Sequence, residues 1–334
     1  MSGSRAARAL AVAVLATLAG SCAPGPEPGD GPTPVGDPIV IAYLAPAPAY
    51  DARYLAAFRG AEVALAVAAL EGVDAAIAWV EVPEDLAGWT TPAADAAIVA
   101  PGTPAAVVED LAARLTMPVA SLAGGRAGPA WRALAAGDEA VASAMRDLGG
   151  EAPCLLAGTG GHGLATALRA LGATTAPARL GAGAVVREPT SAVGCTAILW
   201  TGAGDPAVEV RAARASADLS DLPFVAAEGL RDGGFATSAR VGGRGVLVVT
   251  GATDLAERVD LRSRRYVQDY QAQVGRPPAP FSAEGTDAAD LLMAVLRAGW
   301  PSTFPGIARR YDLASTAEPP VIVVRLTRAG WRER

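Results

Sequence analysis

The sequence predicts an α/β protein of two Rossmann-like lobes, each built on a parallel sheet. Three observations carry this. From Pro38 onward, short apolar runs alternate with amphipathic stretches of helical spacing, the pattern of parallel strands covered by helices. The alternation runs its course and begins again near Cys154. The chain has 334 residues, 51% of them hydrophobic, enough for two ordinary domains with a generous core.

In the first series, residues 39–44 read as a buried strand. Residues 52–69 have helical spacing, with Leu55, Phe58, Ala61, Val63 and Leu65 towards the core and Arg59 and Glu62 outward. Strands are expected over 76–82, 96–100 and 118–121, with a helix over 104–115 that carries Pro in its first turn. A further helix, 138–148, opens with Asp138 and Glu139 at the positive end of its dipole. The second series places strands at 154–157, 184–187, 196–200, 223–226 and 245–250, and helices at 164–171 and 206–217. Helices over 261–273 and 287–298 and a last strand over 321–326 follow. The connections 83–95 and 188–194 are short. The second spans only about 23 Å when extended, a return path with no room for a helix.

Residues 1–36 read as an address and a tether. Arg5 and Arg8 precede an apolar run over 9–19 and the small residues Gly20 and Ser21, the layout of a secretory signal. The run is too short for a spanning helix, which needs roughly 20 apolar residues. The ending Leu18-Ala19-Gly20-Ser21-Cys22 resembles the bacterial lipobox, which implies acylation of Cys22; the alternative is an ordinary signal peptide with an incidental Cys. Residues 23–36 are rich in Pro and Gly and form a semi-rigid spacer. The expectation is a signal peptide over 1–21 and a lipidated Cys with its tether over 22–36. The globule would then be extracytoplasmic and lipid-anchored to the bacterial membrane.

Composition excludes several chemistries. With 28 basic against 34 acidic residues the net charge is −6, so nucleic acid is not an expected partner. All the basic residues are Arg, which removes a Walker A loop, Schiff-base chemistry and a Ser–Lys dyad. His162 is the single histidine, leaving no material for a multi-His metal site. No Gly-x-Ser-x-Gly elbow is present. Cys154 and Cys195 each open an apolar run. On neighbouring parallel strands in an exported protein they read as a disulfide pair, the alternative being two buried free thiols.

The order of segments resembles the type I periplasmic solute-binding proteins, in particular the branched-chain amino-acid (leucine/isoleucine/valine-binding) group of ABC importers. The resemblance rests on residues 39–46 followed by Phe58-Arg59-Gly60-Ala61-Glu62, on 266–278 followed by Glu284-Gly285-Thr286-Asp287-Ala288, and on 222–230 around Glu228. It implies two hinged lobes joined by three crossings that close on a solute. The lobes would comprise 37–136 plus 255–303 and 137–254 plus 304–334. Carried over by position, Thr103 lies in the loop that receives a ligand carboxylate. Ser121, Ala123, Gly124 and Gly125 form the next loop, whose amides help hold it, and Glu228 meets the ligand's amino group. His162 and Gly202 are placed at the cleft from the second lobe. The sequence departs from the family where Gly124 and Gly125 replace a hydroxyl and Gly160 replaces an aromatic, which puts an α-amino acid ligand in doubt.

The resemblance implies a binding protein for a small polar solute, an amino acid or related amide or acid, handed to a membrane permease. No catalytic residue, cofactor or metal is expected, and a monomer is. The competing reading is a ligand-free or sensor-type lipoprotein that uses the fold for protein contact. A third is an exported nicotinamide-dependent oxidoreductase, since Gly158-Thr159-Gly160-Gly161-His162-Gly163 matches G-x-G-x-x-G and Glu188 follows at a later strand end. Trp200 and Tyr54 are candidates either for stacking on a ligand or for packing. Arg231 and Asp232 read as surface charges.

Overall fold

The computed structural model describes residues 38–46, 52–125, 128–156, 162–175, 195–201, 222–228, 245–253, 255, 260–315, 317–327 and 330–334. Signal, tether and Cys22 lie outside these, as do Gly160, Glu188, Gly202, Arg231, Asp232 and the segments expected at 184–187 and 206–217. No described helix is long and apolar enough to cross a membrane.

The first lobe is a parallel sheet of β1 (Ile39–Pro46), β2 (Ala75–Val82), β3 (Ala96–Val99), β4 (Val119–Ser121) and β5 (Trp131–Ala133), ordered β2-β1-β3-β4-β5. β1 is apolar throughout because it is flanked on both sides, with Ile41 facing Ile77 of β2 and Ala96 of β3. Helix α1 (Ala52–Leu70) buries Tyr54, Ala57, Ala61, Ala64 and Ala68, the stripe that a 3.6-residue period selects. Leu55, expected in the core, is exposed; it lies one step round the helix from Tyr54, off that stripe. Phe58 packs edge-on against Tyr43 and Trp79, with ring centroids 5.3 and 5.2 Å apart. Helix α2 (Ala105–Arg114) follows β3, and no helix joins β2 to β3, as the short connection requires.

The second lobe contains α3 (Asp138–Gly149), β6 (Cys154–Leu156), α4 (His162–Ala170), β7 (Thr174–Thr175), β8 (Ile198–Trp200), β9 (Phe224–Ala227) and β10 (Leu247–Thr250). Helices α5 (Leu261–Val274) and α6 (Ser282–Ala298) then return to the first lobe, with α6 in its main core. A two-stranded hairpin, β11 (Thr303–Pro305) and β12 (Arg310–Asp312), precedes β13 (Ile322–Thr327) and β14 (Gly330–Glu333). The second sheet runs β14-β13-β10-β9-β8-β6-β7, with β13 and β14 each antiparallel to its neighbour. Each lobe thus has the doubly wound order, its first strand between its second and third. The strand paired with β6 on its other side is β7, which follows the Gly172 turn and was not expected. Helix α6 starts five residues earlier than the spacing suggests, because Phe281 adopts a left-handed turn (φ 71°) and buries its ring.

Three crossings join the lobes, at 134–137, 251–260 and 313–321. The third was expected after 303, but Phe304, Tyr311 and Leu313 pack in the first lobe's core. The hairpin therefore belongs to that lobe by packing, and the chain crosses later. Where backbones meet, glycine is required. A Cβ on Gly60 would lie 1.8 Å from the Ser282 carbonyl oxygen, and one on Gly285 would lie 2.0 Å from that of Ala57. Thr286 Oγ1 donates to the Gly60 carbonyl at 2.7 Å across the same α1–α6 contact. The Gly-Ala-Glu and Gly-Thr-Asp motifs are thus two sides of one helix crossing.

Cys154 and Cys195, 41 positions apart in sequence, are bridged, with Cα atoms 5.5 Å apart. Two predictions follow from these contacts. Gly60→Val should lower stability by about 3 kcal/mol, the upper part of the range for overpacking, read as a fall in the urea midpoint at unchanged slope. Replacing Cys154 and Cys195 together by Ser should cost about 4 kcal/mol for a loop of this length, and the wild-type protein in reductant should match the double variant.

Candidate functional site

Parallel strands deliver their following loops to one side of a sheet, and the switch point of each doubly wound lobe opens there. Arg53 stands in the first turn of α1 beyond β1, Gly102 and Thr103 follow β3, and Ser121 ends β4. From the other lobe, Asp138 opens α3 and Glu228 follows β9. The two sets meet. Arg53 Nη1 donates to Glu228 Oε1 at 2.8 Å and to Asp138 Oδ1 at 3.0 Å. Side-chain exposure is 12% for Arg53, 11% for Asp138 and 4% for Glu228, so the cluster is shielded from solvent and its bonds are charge-assisted.

The surrounding backbone is shaped to this cluster. Gly102 (φ 75°) approaches the guanidinium so closely that a Cβ there would lie 2.3 Å from Arg53 Nη2. A Cβ on Gly163, in α4, would lie 2.9 Å from Asp138 Oδ2 and 3.5 Å from the Gly102 carbonyl oxygen. Asp138 Oδ2 is buried without a hydrogen-bond partner among the described residues. The cleft-side end of α3 tolerates this carboxylate because the helix dipole favours negative charge at its first turn.

Of the residues expected at the site, the loop of Thr103 and the carboxylate of Glu228 are brought together through Arg53. The Thr103 hydroxyl, itself buried, donates to the Ala100 carbonyl at 2.8 Å and closes its own turn. Ser121 Oγ accepts from the Ala123 amide at 3.2 Å. The Gly125 amide donates to Glu318 Oε1 at 2.6 Å, and Gly124 packs under the same carboxylate. A carboxylate does meet this loop, but the chain supplies it. Beside Gly125 lies a cavity of about 320 Å³, lined by Arg132, Tyr311, Asp312, Leu313, Ser315 and Glu318 among others. Its walls come from Gly125, β5, β12 with the preceding Arg309, and the third crossing, not from the loops of Arg53 or Glu228. The backbone of His162 opens α4. Trp200 is fully buried and Tyr54 accepts, through its carbonyl, a bond from the Tyr43 hydroxyl at 2.7 Å; both pack in the interior rather than line the cleft.

Arg53, Asp138 and Gly163 are absent from the residues that sequence reasoning singled out for the site. Asp138 was legible only as a helix-opening acid. Arg53 had one available signal: a cation just beyond the first strand of a parallel sheet, where ligands and their partners gather.

Buried acids of α6 hold the second crossing and the β11–β12 hairpin. Glu284 Oε1 accepts from the Thr253 amide at 2.5 Å and lies 3.8 Å from Arg309 Nη2, which donates to the Gly251 carbonyl at 2.8 Å. Gly251 in turn lies against Ala136 of the first crossing, with room for no Cβ. Asp287, fully buried, accepts from the amides of Ile307 and Ala308 and from the Tyr311 hydroxyl. Burial pushes its carboxyl up to about 7, against the amides that favour the charged form.

Comparison with known proteins comes down to the fold. No family model matches the sequence, and no curated protein matches it. Among solved structures the chain is similar to the branched-chain amino acid transporter substrate-binding protein LivJ of Streptococcus pneumoniae, in complex with isoleucine. The identity is 16%, over 89% of this chain and 100% of that one, with a TM-score of 0.62. It is similar also to a solute-binding protein of an ABC transporter from R. palustris, in complex with benzoate, at 16% identity over 89% and 95% of the two chains and a TM-score of 0.58. The leucine-binding protein LivK of Thermotoga maritima is similar at 17% identity over 89% and 97%, with a TM-score of 0.55. The chain has the type I periplasmic binding-protein fold, and these neighbours are substrate-binding proteins.

The raised Asp287 value has a consequence for stability. Its folded value lies above the ordinary carboxylate range, so the native state holds a proton that the unfolded chain releases between about pH 4 and 7. The contribution is full below that window and is lost as pH rises through it. Asp290, raised by burial to about 6, acts in the same direction. Asp287→Asn, which cannot ionise, should show a smaller drop in urea midpoint between pH 4.5 and 7.5 than the wild type. An equal drop would mean that Asp287 is charged throughout.

Proposed function

We propose that the protein is the extracytoplasmic solute-binding component of an ABC importer, taking a small polar solute between its lobes and presenting it to a membrane permease. The observation that carries this reading is the meeting of strand-end residues of the two lobes, Arg53 with the Gly102–Thr103 turn from one and Asp138 with Glu228 from the other. That is the position at which hinged α/β lobes grip a ligand. The neighbours' ligands, isoleucine and benzoate, frame the class as small carboxylates with or without an amino group. Hydroxyls and amides of the first lobe would hold the carboxylate, with His162 and Gly202 edging the cleft. Binding and lobe closure are the whole mechanism, with no bond made or broken.

Export fits the same reading. A signal over 1–21, acylation at Cys22 and a tether to residue 36 would hold a monomer at the membrane surface beside its permease. The Cys154–Cys195 disulfide is the kind of bond that persists in an oxidising compartment. A second reading, a ligand-free or sensor-type lipoprotein that offers the fold for protein contact, is favoured by one observation: Arg53 already occupies Glu228.

A thermal-shift screen of the purified protein against amino acids, amides and small carboxylic acids separates the two. A true solute at 100 times its dissociation constant should add about 2.7 kcal/mol of stability, visible as a midpoint rise of several degrees. A screen in which no member of any class moves the midpoint would favour the ligand-free reading.

A further inference from the structure

We infer that Arg53 is a built-in substitute for the cationic group of a solute. Set between Asp138 and Glu228, its guanidinium latches the two lobes together without ligand and bars amino-acid zwitterions from the acidic end of the cleft. The barring rests on the solute-binding reading above; the latch does not.

The geometry is that of a bound ligand. One nitrogen of a first-lobe side chain reaches two carboxylates of the second lobe at 2.8 and 3.0 Å. All three side chains are nearly withdrawn from water, where an ion pair is little screened by salt. Glycine lines the cradle at the two points where a side chain would collide with the charged groups, Gly102 against Arg53 Nη2 and Gly163 against Asp138 Oδ2. The space is therefore cut to a planar cation and its two acceptors.

Charge balance explains why a solute's ammonium would not displace it. Withdrawing Arg53 removes the one guanidinium nitrogen that both carboxylates bond. A free amino acid would have to supply that missing charge in competition with a cation tethered to α1 and always present at high effective concentration. A solute lacking a cationic group meets no such competition. The cleft so equipped suits neutral or singly anionic solutes and closes in the absence of any.

Small-angle scattering and thermal unfolding test both parts, on wild type, Arg53→Ala and Glu228→Gln. The wild type should be compact without ligand, and Arg53→Ala should show a larger radius of gyration. Millimolar methylguanidinium should return Arg53→Ala to the wild-type radius and raise its midpoint while leaving the wild type unmoved. An Arg53→Ala protein of wild-type radius that ignores methylguanidinium overturns the latch. Should that variant not fold, Glu228→Gln, which keeps the side chain's shape, must show the same expansion, and an unchanged radius overturns the latch equally. For the exclusion, leucine, alanine and glutamate should leave the wild-type midpoint in place, and at least one should raise that of Arg53→Ala. A wild type that binds any of them as well as the variant does, or a variant that takes none, overturns the exclusion. If in addition no acid or amide moves the wild type, it is the solute-binding reading that falls, while the scattering result still decides the latch.

Discussion

Strands that pair in parallel cannot be joined by tight hairpins; each must be followed by a crossover that carries the chain back. The site in this protein is a consequence of that constraint. Because β1, β3 and β4 all point one way, the residues after them, Arg53, Gly102 and Ser121–Gly125, come out at one rim. The second lobe repeats the winding, so Asp138 and Glu228 come out at its corresponding rim. Neither lobe assembles the cluster alone. It exists only where the two rims face each other, and this makes the ion pairs a report on how the lobes are set.

The facing arrangement is held by contacts with little tolerance. Gly60 and Gly285 bring α1 and α6 together backbone to backbone, which fixes the helix that bears Arg53. At the crossings Gly137 lies against the Ala123 carbonyl and Gly251 against Ala136. Glu284 then ties α6 to the second crossing, and Asp287 ties it to the hairpin that leads into the third. These acids are buried because they satisfy backbone amides that no strand partner reaches. Position at the cleft is thus set by close approaches, and side-chain packing fills in around them.

How much of this could be read in advance follows from the range of the interactions. The strands of both sheets except β5, β7 and β14, and the helices over 105–114 and 138–149, are written in local periodicity, and so is the doubled alternation that makes two lobes. The disulfide was legible because a parallel neighbour relation places two strand-opening cysteines together. What failed was non-local. Leu55 looks apolar enough for a core, yet only the α6 contact decides which face of α1 is buried. β5 and the 303–312 hairpin are three-residue strands with no period to detect. Glu228 was identified by position, but its partner could not be, since Arg53 lies 175 positions away and on another lobe.

That pairing changes what Glu228 means. As a lone acid at a strand end it reads as a receptor for an amino group, and the Gly125 amide reads as a receptor for a carboxylate. In the folded chain Arg53 supplies the first group and Glu318 the second. The two are not equivalent. Glu318 is exposed, so water competes for it and its hold on the loop is weak. Arg53 is buried with two acids, and its charge-assisted bonds to them are little screened by solvent. Releasing Glu318 from the Gly125 amide therefore costs little, whereas withdrawing Arg53 from its two acids breaks buried, charge-assisted bonds. The two ends of the interlobe contact are thus unequal, one held by an exposed acid and the other by a buried arginine.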